Sequence, residues 1–457
     1  MRVYAKGLLI GTLALALGGC GILGGGGDKK PKTPTFGDRV PILTSETEVE
    51  VDSGIADVAI VLPPAAPNTD WAQSGGNGAK SMGHPTLPDT LSVAWTADIR
   101  GTDAYERLGA APIVADGKVF TVDTRANLRA YNASTGALVW ATKIGDPKEI
   151  AGGRSIWTGE MTGNAGVLFG GGASFEDGRV FAVNGLGDVG AYDANTGAQI
   201  WLKRPGGPLR GSPGVGLGNA YVVSQDNQIY ALKTSDGSLE WQRSGTLESA
   251  GVFGVAAPAV GQGTVIAGYS SGELSGYRYE NGQEVWQDAL SRTSISTAVA
   301  TISDIDADPV IDQGRVFAIG QGGRMISIDI LTGQRLWEIN VAGIATPWVA
   351  GEWLFVVTDE AKLLCISRVS GKVRWEAQLE RYGNEKKKTK PINWTGPVLA
   401  GNKLVVASSE GKVVFASPMD GSVVNTIKLK HGVDLPPVVA NNMLYILDDG
   451  GKLTAWK

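Results

Sequence analysis

Hydrophobic and polar positions alternate along most of this chain in short runs, and the runs come in sets of four. The clearest set is residues 212–241, SPGVGLGNAYVVSQDNQIYALKTSDGSLEW. A small residue and Pro213 lead into an apolar pair and a Gly-containing turn, and a β-branched and aromatic run follows at 220–224. A polar turn at 225–228 separates this from a second such run at 229–233, and a tight Ser235-Asp236-Gly237 turn precedes Trp241. Period-two alternation, β-branched enrichment and Gly/Asp/Asn punctuation predict short antiparallel strands. One such unit cannot bury both of its faces.

The same unit starts eight times, near Ala111-Pro112, Gly172-Ala173, Ser212-Pro213, Ala257-Pro258, Asp308-Pro309, Thr346-Pro347, Gly396-Pro397 and Pro436-Pro437. The closing turn and its tryptophan recur at Trp140, Trp201, Trp241, Trp286, Trp337 and Trp375, whereas the seventh copy has Asn425 in that place. The spacing of about 46 residues lies in the range of four-stranded propeller blades. Strands A to D of the first copy are expected at 111–115, 118–123, 128–132 and 138–144. The eighth copy ends after its strand C. Upstream, residues 91–99 (LSVAWTADI) carry Trp95 where a repeat tryptophan belongs. That segment is expected to complete the last blade and close the ring, leaving only short edges. The fold class is therefore all-β, an eight-bladed β-propeller of four-stranded antiparallel blades. Tryptophans repeated in nearly every copy read as packing between blades rather than as a ligand platform.

The propeller does not begin at the N-terminus. Arg2 and Lys6 precede an apolar run at 8–17, too short to span a bilayer and suited to a signal peptide. The run ends in Leu17-Gly18-Gly19-Cys20, which resembles a bacterial lipobox. That implies cleavage after residue 19 and lipidation of Cys20, and Gly21 in the following position points to the outer membrane. Gly- and Pro-rich residues 20–67 read as a lipid-anchored tether, with docking of its more apolar stretch 49–62 left open by the sequence, and 68–457 as the propeller.

Composition narrows the chemistry. A net charge of −5 argues against nonspecific nucleic-acid binding. Two cysteines, Cys20 and Cys365, exclude a disulfide framework, and Cys365 reads as a small buried strand residue. There are two histidines, His84 and His431, and no nucleophile-elbow, phosphate-loop or dinucleotide motif. Asp304, Asp306 and Asp308 have the opening spacing of a calcium loop, but Pro309 and Arg315 stand where its glycine and glutamate belong. They read as an acidic loop, with no metal. Lys386-Lys387-Lys388 and Lys390 read as a solvated basic loop. The long insertions, 142–169, 287–306 and 376–395, all join strand D of one repeat to strand A of the next. They emerge beside the B–C turns, so one face of the ring carries the variable loops.

Taken whole, the repeat AxPVxxxGxVYxxxxxGxLxALDxxTGxxxW resembles that of quinoprotein-type propellers, shared by quinone-dependent alcohol and glucose dehydrogenases and by the BamB family of outer-membrane lipoproteins. The lipobox, the eight repeats, the closing strand and the Ser303-Asp304-Ile305-Asp306-Ala307-Asp308-Pro309-Val310 run resemble BamB over residues 68–457. The dehydrogenases are longer and use a vicinal disulfide beneath their quinone, which one remaining cysteine cannot form. The resemblance to BamB implies a non-enzymatic scaffold of the outer-membrane β-barrel assembly (BAM) complex, with no cofactor, on the periplasmic face of the outer membrane. It implies binding to a POTRA domain of BamA through the loops near 245–256 and 303–308, with Val252, Phe253, Gly254, Asp304 and Asp306 as contacts. Some members carry Leu-x-Leu-Arg-Gly in the first loop; this chain has Gly251-Val252-Phe253-Gly254 before Ala256-Ala257-Pro258. From the architecture alone, strand edges or loops are a further expected seat for unfolded outer-membrane proteins, by β-augmentation. The alternatives are a pyrroloquinoline-quinone-dependent dehydrogenase, or a ligand-binding periplasmic lipoprotein using Trp157, Tyr382 and Trp394.

Overall fold

Eight four-stranded antiparallel sheets form the body of the protein. The computed structural model describes residues 49–103, 106–150, 152–154, 161–163, 171–247, 256–290 and 303–457. Blade 1 comprises Ile113–Ala115, Lys118–Val122, Asn127–Asn132 and Leu138–Lys143, within two residues of the strands expected from the alternation. Blade 8 takes strands A to C from Val438–Ala440, Met443–Leu447 and Lys452–Trp456, and its fourth strand is Val93–Asp98, antiparallel to Lys452–Trp456. The closing strand thus lies inside the segment expected to supply it.

A repeated device joins the blades. In every blade the C–D pairing has a register shift just before the position of the repeat tryptophan, as between Ala130/Tyr131 opposite Trp140 and Leu138. This bulge leaves Leu138 and Val139 exposed and turns Trp140 inward. The Trp140 indole N–H then donates to the Ala194 carbonyl of the next blade at 3.0 Å. Trp201, Trp241, Trp286, Trp337, Trp375 and Trp95 make the same bond to Thr234, Tyr279, Ile330, Arg368, Pro418 and Ala133. Each acceptor lies in the C–D turn of the following blade. Blade 7 has Asn425 instead, for a reason visible in the topology: strands C and D of blade 8 come from opposite ends of the chain. No turn joins them, so there is nothing for a tryptophan to grip.

The turn glycine is the other half of the grip. Gly197 has φ +71, and a Cβ on it would lie 2.5 Å from Trp140 Cε3. Gly117 has φ +67 with nothing within 4 Å of its Cβ position. Gly197→Ala is therefore expected to cost about 2–4 kcal/mol, left-handed strain plus overpacking, while Gly117→Ala bears the strain alone, about 1–2 kcal/mol. Denaturant midpoints of the two variants measure the difference; equal losses would show that the tryptophan does not press on the turn.

Residues 66–87 form a strap around the inside of the ring, touching strand A or the A–B turn of each blade in succession. The Asn68 carbonyl accepts from Asn441 N–H at 2.8 Å in blade 8, and Trp71 bridges Val114 in blade 1. The Ala72 carbonyl accepts from Phe175 in blade 2, and the Gln73 amide bonds both backbone groups of Val215 in blade 3. Gly78 and Ala79 accept from Val260 and Ile311 in blades 4 and 5. Gly83 accepts from the Trp348 indole in blade 6, and Pro85 from Gly401 in blade 7. Propeller strands A are inner edges with free backbone groups; the strap satisfies one or two backbone groups on seven of the blades and the Trp348 indole on blade 6.

The tether boundary shifts as a result. Residues 49–67, placed in the tether by their composition, belong to the folded body. Val51 pairs with Val373, Asp52 meets Lys372 at 2.9 Å, and Arg374 donates to the Val58 carbonyl at 2.8 Å. The physical reason is their apolar content: Val49, Ile55, Ile60 and Leu62 pack against buried clusters of the propeller.

Candidate functional site

The connections between strand D and the next strand A gather on one face, as expected. Two of them carry a buried charge cluster. Arg210, in the connection from blade 2 to blade 3, is 3% exposed. Its backbone N–H bonds the Val223 carbonyl, and its own carbonyl accepts from Gly171, which fixes the side chain's origin. From there it reaches the connection between blades 4 and 5, donating to Asp304 Oδ1 at 2.6 Å and Asp306 Oδ1 at 3.3 Å. Asp304 is 0% exposed, and its carbonyl accepts from Gln321 N–H. Gln321 Nε2 holds Asp306 Oδ2 at 2.8 Å. Burial raises the pKa of both carboxyls, and the charge of Asp304 adds to the rise at Asp306; Arg210 opposes it at each. The arrangement can lock two loops to one another across blades 3 and 4.

This corrects the picture of Asp304 and Asp306 as carboxylates displayed beside an apolar anchor. Asp304 is turned inward and consumed by Arg210, and Asp306 is only partly exposed. Nor do the three aspartates converge as ligands: Asp308 accepts instead from Ala257 N–H at 2.7 Å and from the Ser74 hydroxyl at 2.6 Å. Val252, Phe253 and Gly254 lie outside the described residues, as do Cys20 and Trp157. Before them in the same connection, Thr246 is fastened to Glu273 and Leu247 stands 73% exposed. Tyr382 lies on a small hairpin, Tyr382–Asn384 with Thr389–Pro391, whose tip carries the exposed lysines. Trp394 is buried, its indole donating to the Glu380 carbonyl.

Sequence reasoning missed Arg210. The signal was present: Leu209-Arg210-Gly211 stands directly before Ser212-Pro213, the Leu-Arg-Gly-before-Pro pattern sought one connection later. It also missed the axial cavity. Of about 520 Å³, the cavity is floored by Trp71, Ser74, Gly75 and Lys80 of the strap and walled by D–A connections and B–C turns. Trp71 and Trp348 stack there at 5.7 Å and 15°.

The quinone reading is tested by that cavity. Pyrroloquinoline quinone is a tricarboxylate, and Asp306, Asp308, Asp434 and Asp449 line the cavity alongside Lys80, Arg107 and the already paired Arg210. Burial and neighbouring Asp434 raise Asp449 to about 6, the mark of a region hostile to further negative charge. Cys365 lies in mid-strand of blade 6 between Phe355 and Trp375, and burial pushes its thiol up. These residues do not suit that cofactor.

Comparison with known proteins agrees with the geometry. The chain is 26% identical over 357 residues to the outer membrane protein assembly factor BamB of Yersinia pestis, covering 78% of this chain and 85% of that one. It is 26% identical over 369 residues to the Salmonella typhimurium protein of the same name, covering 80% and 88%. Among solved structures, BamB from Moraxella catarrhalis superimposes with a TM-score of 0.65 at 17% identity, covering 80% of this chain and 100% of that one. A quinohemoprotein alcohol dehydrogenase from Comamonas testosteroni gives 0.64 at 13% identity, covering 89% and 82%; at those identities the likeness is one of fold. A family model described as outer membrane protein assembly factor BamB matches residues 88–151, 146–377 and 370–457. With that match running over most of its length, the chain belongs to the BamB family.

Proposed function

We propose that this chain is a non-enzymatic, lipid-anchored scaffold of the outer-membrane β-barrel assembly machinery. In this reading Cys20 carries the lipid, the propeller lies on the periplasmic side of the outer membrane, and its loop face docks a POTRA domain of BamA. Family membership supports the assembly role. The observation that carries the docking face is the Arg210–Asp304–Asp306 lock. It holds rigid the two connections that flank the blade 3–4 connection, where Leu247 is bare. An apolar anchor on a pre-ordered rim is the arrangement that concentrates binding energy. The aspartates act here by holding the rim, and Leu247 with Val252, Phe253 and Gly254 supplies the contact.

The test is co-purification from detergent-solubilised outer membrane. Leu247→Asp and Phe253→Asp are expected to lose BamA by tenfold or more, since a charge at a desolvated anchor costs on the order of 2 kcal/mol or more. Their melting curves should match the parent's. Undiminished BamA recovery with both variants would move the interface elsewhere.

A further inference from the structure

The C–D turns lie on the face opposite the loop face, and one position in them changes character around the ring. It is the residue two before the turn glycine. In blades 1 to 4 it is Ser134, Asn195, Ser235 and Glu280, all exposed. In blades 5, 6 and 7 it is Leu331, Val369 and Met419, which stand 72%, 55% and 46% exposed. The turn itself does not require an apolar side chain there, since four blades close without one. Its tip is already satisfied: the side-chain oxygens of Asp329, Ser367 and Ser417 accept from the N–H of Leu331, Ser370 and Met419 at 3.1, 3.3 and 3.2 Å.

The segment ahead of the strap adds two more bare apolar side chains to this sector. Val58 and Val61 are both exposed. Arg374 of blade 6 holds the Val58 carbonyl, and the Val61 carbonyl lies beside Gly351 in the A–B turn of the same blade. Scattered apolar residues need no explanation, but five gathered on one sector of one face mark a contact surface.

Where the chain enters the folded body says what that surface meets. Val51 pairs in parallel with Val373, and Asp52 meets Lys372, directly after the blade 6 turn that carries Val369. The chain from Cys20 therefore joins the ring at this sector and nowhere else. Cys20 and Val49 are about 30 residues apart, a reach of at most about 100 Å. An anchor at that distance makes any second contact with the same bilayer intramolecular, so a few apolar side chains suffice to hold it.

We propose that the C–D turn sector of blades 5 to 7 rests on the lipid surface of the membrane that holds the Cys20 anchor, with Leu331, Val369 and Met419 entering the headgroup–acyl boundary. Turn tips whose amides are satisfied by their own side chains suit that boundary, because they carry no bare N–H into it. The loop face is then turned away from the bilayer, towards its periplasmic partner. The inference rests on the lipid-anchor reading of Cys20.

The experiment uses the mature lipidated protein with one added cysteine bearing an environment-sensitive dye. The sites are Leu331→Cys, Val369→Cys and Met419→Cys, with Ser134→Cys and Asn195→Cys as the matching positions of blades 1 and 2. Cys365 is buried, and an acylated Cys20 does not react. Each protein is reconstituted into phosphatidylethanolamine–phosphatidylglycerol vesicles with and without a quencher carried on the acyl chains. The three apolar sites are expected to be quenched at least about threefold more than the two polar ones, as suits side chains about 5–10 Å into the boundary. Adding Leu331→Glu and Met419→Glu should return the dye at position 369 to the level seen in blade 1. Equal quenching at all five sites, quenching at none, or quenching at position 369 that survives both glutamates overturns the proposal. So does shielding already present in Cys20→Ser protein without vesicles, or gained only as protein concentration rises, which would assign the sector to another part of this chain or to a second copy. Flotation separates the two readings. Lipidated protein that does not float with the vesicles ends the anchor reading and this inference with it; protein that floats while its dyes stay in water ends this inference alone.

Discussion

Replacing residues 93–98 by a Gly/Ser run of equal length is expected to unfold the entire propeller. Five residue pairs join this strand to Lys452–Trp456, from Val93 opposite Trp456 to Asp98 opposite Lys452. Trp95 adds the clasp to Ala133 at 2.9 Å and a tilted contact with Tyr445 at 5.9 Å. Loss of one buried tryptophan costs about 3–5 kcal/mol, and the ladder bonds and newly bared edge of blade 8 come on top. The sum approaches the whole stability of a typical domain, about 5–15 kcal/mol. Opening blade 8 also removes the tryptophan clasp that holds blade 1. Size exclusion and denaturant titration followed by circular dichroism read the outcome. A variant that elutes as the native monomer with an unchanged midpoint would refute closure by this strand.

Arg210→Met is expected to be the most damaging single substitution on the loop face, costing about 3–5 kcal/mol near neutral pH, because it strands two carboxyls in a buried site. The loss should depend on pH. Asp306 has its pKa raised from 3.8 to about 7, burial first and Asp304 second. A carboxyl with a raised folded pKa holds its proton more tightly when folded; that stabilisation is complete below about pH 4 and disappears as pH climbs towards about 7. Without the guanidinium the two acids are neutralised by protons more readily at pH 5 than at pH 8. Arg210→Met should therefore be markedly less stable than the parent at pH 8 and closer to it at pH 5. Asp304→Asn introduced into Arg210→Met should recover part of the loss at pH 8. A loss independent of pH, with no recovery, would mean that Arg210 acts through packing alone.

What the sequence made legible was whatever recurs. The tryptophan, the turn glycine and the Pro at each repeat start do one job many times, so chance resemblance is averaged away and the ring, its blade number and its closing strand follow. Even the exception at Asn425 was visible; its cause was not, since it depends on where the chain ends meet. Features used once left no such trace. The strap takes part through single carbonyls of Asn68, Ala72, Gly78, Ala79, Gly83 and Pro85, and a carbonyl has no sequence signature. Residues 49–67 look like a spacer because Gly and Pro dominate the stretch around them, although four apolar side chains are enough to seat them. Arg210 was written in a recognisable run, but pairing it with Asp304, 94 residues away, required knowing that the two connections flank the same pair of blades. The burial of Lys80 gave no signal, since a lysine in a polar stretch looks solvated until the ring closes over it.

The strap also fixes an order of events. Asn68 Nδ2 bonds the Val439 carbonyl, 371 residues further on, and the closing strand likewise awaits the final strand of the chain. Proteins are made from the N-terminus, so these early-made segments are among the last able to settle. Until blade 8 is complete, the strands A of the earlier blades keep bare inner edges and the first blade lacks the clasp from Trp95. An open array of stacked repeats gains stability with each unit added; here much of the reward is withheld until the end. The half-made molecule is a string of sheets exposed to any passing strand, and the chain must be protected over its whole length before it can protect itself.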